Sequence, residues 1–363
     1  MLSFHALRVA AVEQIAEDAA CVTLAIPPAL RDAYAHHAGQ YVTVRRTIGA
    51  REERRTYSIV TAPGGAVLKL GIRLQSQGRM SAELGSKLAV GDFLDVATPM
   101  GRFHTAVSAD RRHAYVAFAA GSGITPILSL ATNILERERE SRFTLFFGNR
   151  SASTTMFLEE TLALKNRHID RFAVHFVMSR ESQPAAWLNG RIDGAKIREI
   201  SRYVPELAHA DEYFICGPGN MVDEVRAAVK EMNGRAPIRF ERFAGPSAPP
   251  VAAPAAAAAD SGGQPAPDDL VATVTVEMDG RCRSFPMARR DESVLAAAER
   301  AGVELPFSCR SGICATCRTK IIAGAATMAY NIALEPWEIA AGFVLCCQAR
   351  PTTPTLEISY DHK

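Results

Sequence analysis

Ser308-Cys309-Arg310-Ser311-Gly312-Ile313-Cys314-Ala315-Thr316-Cys317, followed after 29 residues by Cys347, is the most informative stretch of the chain. The spacing Cys-x4-Cys-x2-Cys with a distant fourth cysteine is that of a plant-type [2Fe-2S] site, with three thiolates from one loop and one from elsewhere. Gly312 and the small residues Ser311, Ala315 and Thr316 allow the loop to wrap a cluster and turn backbone N–H groups toward sulfur. Cys309, Cys314, Cys317 and Cys347 are therefore the expected metal ligands, and a cluster of this kind carries one electron at a time. Four cysteines can also hold structural zinc, in which case the chain would be a redox-sensing module; zinc sites, however, usually pair two short Cys-x2-Cys knuckles. Cys346 and Cys347 are adjacent, and neighbours on a strand face opposite ways, so only one of the two can be the ligand. Cys21, Cys216, Cys282 and Cys346 read by default as small core residues.

The 363 residues suit two to three domains, and 48% hydrophobic with 22% charged residues describes an ordinary globular protein. A formal net charge of +2 suggests no nucleic-acid or membrane surface. The N-terminus lacks a signal-peptide pattern, so a cytoplasmic location is expected. Residues 114–135 carry no charge, but Gly121, Gly123, Pro126 and Asn133 break them into strand, turn and helix rather than a membrane span.

Of the 25 residues 244–268, 19 are Ala, Pro or Gly and none is aromatic, which marks a flexible linker with a coil span of about 25–30 Å. It separates a C-terminal segment, 269–363, where 271–276 alternates as a strand, Asp279-Gly280 signals a hairpin and 293–301 reads as a short helix before the cysteine loop. That is the α+β pattern of a β-grasp ferredoxin domain. The resemblance to plant-type ferredoxins, which place the last ligand before a residue like Gln348, implies Cys347 rather than Cys346 as the fourth ligand. Residues 1–110 read as short strands at 41–44, 67–72 and 93–96 spaced by turns, an antiparallel β-barrel. Residues 111–243 alternate strand and helix, which argues an α/β doubly wound parallel sheet.

Arg55-Thr56-Tyr57-Ser58 in the first segment, with Gly121-Ser122-Gly123-Ile124-Thr125-Pro126 and Cys216-Gly217-Pro218 in the second, resembles the ferredoxin–NADP reductase superfamily. The resemblance implies that Tyr57 packs on a flavin ring, that Ser58 sits near its reactive nitrogen, and that Arg55 binds phosphate; a flat ring suits an aromatic platform and a phosphate suits a fork of donors. Gly78, Met80 and Ser81 open a helix whose N-terminus would hold the pyrophosphate of FAD, and Arg73 is a further candidate phosphate contact. Gly121, Gly123, Thr125 and Pro126 would receive the pyridine nucleotide, with Pro126 replacing the usual third glycine. Cys216, Gly217 and Pro218 would lie at the nicotinamide, and Glu241 and Phe243, ending the segment, would reach the flavin. Ser58, Cys216 and Glu241 are thus the implied catalytic residues.

No acid follows the second strand, which ends Asn149-Arg150-Ser151, and Ser179-Arg180 ends the next. Arg150, Ser179 and Arg180 favour NADPH, with NADH open. The order flavin, nucleotide, ferredoxin, together with 147–150, 190–194, 334–336 and 340–345, is similar to the reductase components of multicomponent oxygenases, phenylacetyl-CoA epoxidase first, ketosteroid and Rieske systems next. The resemblance implies electron transfer from NADPH through FAD and the cluster to a separate oxygenase partner. Residues 269–363 hold ten Lys/Arg and eleven Asp/Glu, so strong acidity does not mark the docking face.

Overall fold

The computed structural model describes residues 3–75, 78–243 and 270–362, and the expected linker at 244–268 lies outside the described residues. The chain divides into two compact units, the larger spanning Phe4–Gly245 and the other the C-terminal residues.

The larger unit opens with an antiparallel sheet. Its strands are β1 (Phe4–Ala16), β2 (Ala19–Ala25), β3 (Tyr41–Ile48), β4 (Arg51–Ser58), β5 (Val67–Arg73) and, after helix α1 (Arg79–Ser86), β6 (Phe93–Ala97). Their order is β4-β3-β6-β1-β2-β5, and a bridge from Ile59 to Leu70 brings the two edges together as a barrel. Alternation drives the closure. Leu7, Val9, Val22, Leu24, Val42, Val44, Leu68, Leu70 and Ile72 point inward and are wholly buried.

A parallel sheet follows: β7 (Ala114–Ala120), α2 (Ile124–Arg137), β8 (Arg142–Asn149), α3 (Leu158–Arg167), β9 (Phe172–Met178), α4 (Gly194–Ile200), β10 (Glu212–Pro218), α5 (Gly219–Met232) and β11 (Ile238–Phe243). The order β11-β10-β7-β8-β9 reverses direction between β7 and β10. A crevice opens at such a switch point beyond the C-terminal strand ends. The apolar run 114–120 is a strand buried on both faces, and the glycines after it end it in a short 3-10 turn before α2. Helix α4 is not among the elements expected from the sequence; Asp193 caps it by accepting the Lys196 N–H at 2.7 Å.

The C-terminal unit contains β12 (Leu270–Met278), β13 (Arg281–Ala288), α6 (Val294–Arg300), β14 (Arg318–Ala323), β15 (Ala326–Met328), α7 (Pro336–Ala340), β16 (Phe343–Leu345), β17 (Ala349–Pro351) and β18 (Thr355–Ser359). The main sheet, β13-β12-β18-β14-β16, is mixed, with β12 and β18 parallel. The Asp279-Gly280 hairpin forms as expected, with both residues at positive φ. Cys282 corrects the default core assignment: it is exposed, on an edge strand whose residues 281–284 are all exposed. Cys21, Cys216 and Cys346 are buried.

Candidate redox and nucleotide site

The cysteine loop of the C-terminal unit alternates handedness. Arg310, Gly312 and Ala315 have φ of 56°, 73° and 54°, a sequence of left-handed residues that turns N–H groups inward in an anion-binding nest. The N–H groups of Ser311 and Cys314 both reach Cys309 Sγ at 3.4 Å. Gly312 is required: a Cβ there would lie 2.7 Å from the Tyr330 carbonyl oxygen. Gln348 Nε2 donates to the Arg310 carbonyl at 2.9 Å, and Arg310 packs over Phe307 and pairs with Glu299, so both sides of the loop are anchored.

Among the described residues no three His, Cys, Asp or Glu side chains converge as a single-ion site. The four thiols fall into two pairs instead. Cys314 lies against Cys309, and Cys317 Sγ is 3.2 Å from Cys347 Sγ. Two thiolates for each of two irons is the donor set of a [2Fe-2S] cluster. Ser308 Oγ is buried without a partner beside the first ligand, a polar atom in want of an acceptor or donor.

In the larger unit, residues far apart in sequence meet at the switch point. Cys216 on β10 lies opposite Glu241 on β11 and opposite Ala119 on β7. Gly123 abuts the Cys216-Gly217 backbone: a Cβ would fall 2.6 Å from the Cys216 carbonyl carbon and 3.0 Å from the Gly217 nitrogen. The expected Gly121, Gly123, Thr125 and Pro126 turn and the Cys216-Gly217-Pro218 turn thus form one surface. Thr125 Oγ1 donates to the Ser122 carbonyl at 2.9 Å and holds the turn. Phe243 lies opposite Pro218 at the end of β11.

Glu241 reaches from the nucleotide sheet to the barrel and faces Ser58 at the end of β4. Its Oε2 is buried without a partner. Burial pushes its carboxyl up to about 8, moderated by the Ser58 hydroxyl. Burial also raises the Cys216 thiol, with Glu241 adding to the effect. A neutral, proton-bearing carboxyl beside a serine can hold or release a proton at that point. The sign of its linkage to stability is set. The folded value exceeds the ordinary 4.5, so the folded chain binds the extra proton between those values, and stability declines as pH rises from about 4.5 to about 8. The urea midpoint of the protein is expected to fall between pH 5 and pH 8 more steeply than that of Glu241→Gln; equal slopes refute this.

Tyr57, one residue before Ser58, packs against the barrel core, where burial raises its hydroxyl. Arg55 Nη2 pairs with Glu53 at 3.1 Å, and Arg79 Nη1 reaches the same carboxylate at 3.3 Å. Arg79, which no sequence motif singles out, therefore joins Arg55 at the N-terminus of α1. Gly78 and Ser81 shape that start, Ser81 Oγ donating to the Gly78 carbonyl at 3.0 Å. The Met80 side chain is in the core, leaving only its backbone for a ligand.

Arg73 is placed differently from Arg55. It ion-pairs with Asp18, donates from both terminal nitrogens to the Thr154 carbonyl at 3.1 Å, and its Nη2 is 3.7 Å from where a Gly121 Cβ would be. Arg150 and Arg180 are exposed at the C-terminal ends of β8 and β9, and the Arg180 N–H donates to the Arg150 carbonyl at 2.8 Å. Ser179 Oγ donates to the Asn149 carbonyl at 3.2 Å. Two further residues belong to this rim and take no role from the sequence, although Asn149 lies within the stretch 147–150. Asn149 has a buried, unpartnered Oδ1, and Asp18 holds Arg150 as well as Arg73. Only tertiary proximity reveals them.

Three family models match in succession: an oxidoreductase FAD-binding domain over residues 6–105, an oxidoreductase NAD-binding domain over 118–227, and a 2Fe-2S iron-sulfur cluster binding domain over 276–352. The chain is 36% identical over 364 residues, 100% of its length and 99% of the relative's, to one of the subunits of the 1,2-phenylacetyl-CoA epoxidase of Escherichia coli. It belongs to this family of oxygenase-system reductases. The reductase is also 31% identical, over 98% of its length and 96% of the relative's, to the ferredoxin reductase component of 3-ketosteroid-9-alpha-monooxygenase from Rhodococcus rhodochrous. Its fold matches phthalate dioxygenase reductase across 98% of both chains, with a TM-score of 0.57 at 22% identity. The reductase is an oxidoreductase with FAD-, NAD- and 2Fe-2S-binding domains, which corresponds to the multidomain architecture expected from its motifs. Among its described residues no helix is long and apolar enough to cross a membrane.

Proposed function

We propose that this chain is the NADPH-oxidising reductase of a phenylacetyl-CoA epoxidase-type oxygenase, acting in the cytoplasm, with domains at 1–110, 111–243 and 269–363 joined by the linker 244–268. The observation that carries this reading is the end-to-end match to a component of such an epoxidase, over a chain in which FAD-, NAD- and 2Fe-2S-binding domains follow one another. When bound, FAD accepts electrons in pairs from the nicotinamide and the cluster releases them singly. The chain supplies position, charge and dryness. Tyr57 offers a platform for the flavin ring, and Arg55 and Arg79 meet its phosphates at the start of α1. Gly121 and Gly123 admit the nucleotide backbone, and the buried Cys216 walls the nicotinamide pocket. Ser58 and the protonated Glu241 face the reacting centre. Cys309, Cys314, Cys317 and Cys347 hold the cluster.

Arg150, Ser179 and Arg180 support NADPH, since guanidiniums and a hydroxyl suit a 2′-phosphate and no acid follows β8. Arg73, beside Gly121 and apart from Glu53, belongs in this reading with the pyridine nucleotide rather than with the flavin phosphate. The test is a coupled assay with the purified hydroxylase components of phenylacetyl-CoA epoxidase and either nucleotide. NADPH is expected to show the higher kcat/KM and to support product formation. A preference for NADH removes the nucleotide assignment. Failure to reduce those components, with a ketosteroid oxygenase reduced instead, removes the pathway assignment.

A further inference from the structure

The turn between β1 and β2 places Glu17 and Asp18 against the segment that follows β8. The Glu17 N–H donates to the Ser153 carbonyl at 2.9 Å, Ser153 Oγ donates to Glu17 Oε2 at 3.1 Å, and the Leu74 N–H donates to the Asp18 carbonyl at 2.8 Å. The barrel thereby fixes an acidic turn on the rim of the nucleotide sheet. Asp18 uses both carboxylate oxygens there, Oδ1 for Arg73 and Oδ2 for Arg150.

The two arginines depend on it unequally. Arg73 is 19% exposed and also held by the Thr154 carbonyl. Arg150 is 45% exposed, and among the described residues its guanidinium has no other hydrogen-bond or ion-pair partner. Glu17 and Glu181 touch the same segment, but through Ser153 and through the Ala152 N–H at 2.8 Å, not through Arg150. Arg150 therefore stands already neutralised by an internal anion. A phosphate that reaches it must displace or crowd the Asp18 carboxylate, and a hydroxyl in the same place meets no such competition.

We infer that Asp18 is a specificity-determining residue: by occupying Arg150 it weakens selection for the 2′-phosphate and keeps the reductase open to nucleotides without one. This rests on the reading that Arg150 lies at the 2′-position. The restraint is a competition between two anions for one guanidinium, so it acts on the ratio between nucleotides rather than on overall activity.

The experiment measures kcat/KM for NADPH and NADH with the flavin- and cluster-loaded protein, using an artificial electron acceptor, in the protein itself, Asp18→Asn, Asp18→Glu, Arg150→Ala and the double variant Asp18→Asn/Arg150→Ala. Asp18→Asn is expected to raise the NADPH-to-NADH ratio about three- to tenfold. Asp18→Glu keeps the carboxylate and is expected to stay near the parent ratio. In the Arg150→Ala background the Asp18→Asn effect should vanish. If Arg150→Ala lowers the ratio but Asp18→Asn leaves it unchanged or lowers it, the inference falls and the site reading survives. If Arg150→Ala leaves the ratio unchanged, both fall. Because each ratio is internal to one preparation, partial misfolding of a variant does not move it.

Discussion

Cys347→Ala is expected to abolish the cluster, and Cys346→Ala to leave it intact. The two thiols are adjacent and both buried, yet only Cys347 Sγ points at Cys317, 3.2 Å away. Cys346 faces the other way, toward the Tyr360 hydroxyl, and its backbone ties the segment together: its N–H donates to the Cys317 carbonyl at 3.1 Å and its carbonyl accepts from Leu295 at 3.0 Å. Removing Cys347 leaves one iron a ligand short, and electron delivery to a one-electron acceptor that depends on the cluster should drop by at least about 100-fold. Flavin-dependent ferricyanide reduction should persist, because the FAD- and NAD-binding domains lie in the other unit. Cys346→Ala removes one buried sulfur and should cost stability, about 1–2 kcal/mol, with iron and acid-labile sulfide unchanged. Iron analysis and electron paramagnetic resonance after dithionite decide the matter. A reversed result moves the fourth ligand to Cys346, and zinc in place of iron in the parent protein removes the redox role of this unit.

Gly123→Ala should reduce hydride transfer from the nucleotide by about 100-fold, far more than Gly121→Ala. The reason is steric rather than conformational. Gly123 has φ −60°, which alanine adopts freely, but its Cβ would enter the Cys216 carbonyl group. That obstacle is backbone, so no side-chain rotation relieves it. The first turn of α2 or the Cys216-Gly217 turn must shift, and an error near 1 Å at a reacting centre costs about two orders of magnitude. Stability should also fall by about 1–3 kcal/mol. Gly121 is the converse. Its φ of 54° strains an alanine by about 1–2 kcal/mol, yet a Cβ there meets only the far end of Arg73 at 3.7 Å. Stopped-flow reduction at saturating nucleotide separates the two. Comparable rates in both variants would show that the contact between the two turns is not what aligns the nicotinamide.

Strong local signals make most of the architecture legible. The run 114–120 reads as a buried strand, since seven apolar residues ending at glycine leave no polar face and are too few for a typical helix. The strands Phe172–Met178 and Glu212–Pro218 continue the alternation of strand and helix expected over 111–243. The helix at 194–200 is hidden in the sequence because seven residues carry too little periodicity, and its definition comes from the Asp193 cap and packing on α5. Cys282 misleads for a related reason: residue type favours burial, but an edge strand leaves one face uncovered.

What the sequence determined by itself was chemistry carried by short-range spacing: the three loop cysteines, the two glycine turns and the aromatic-serine pair, whose order along the chain implies flavin, nucleotide and cluster. Those signals survive in one dimension because each is held within one turn or one loop. The tertiary structure decided the pairings across distance. It set Glu241 against Ser58 and Cys216, chose Cys347 over Cys346 by the face each presents, drew Arg79 beside Arg55, and placed Asp18 between Arg73 and Arg150. Such contacts join residues up to 183 positions apart (Ser58 to Glu241), and their energetics depend on burial and charge, which arise only when strands from two domains close on one another.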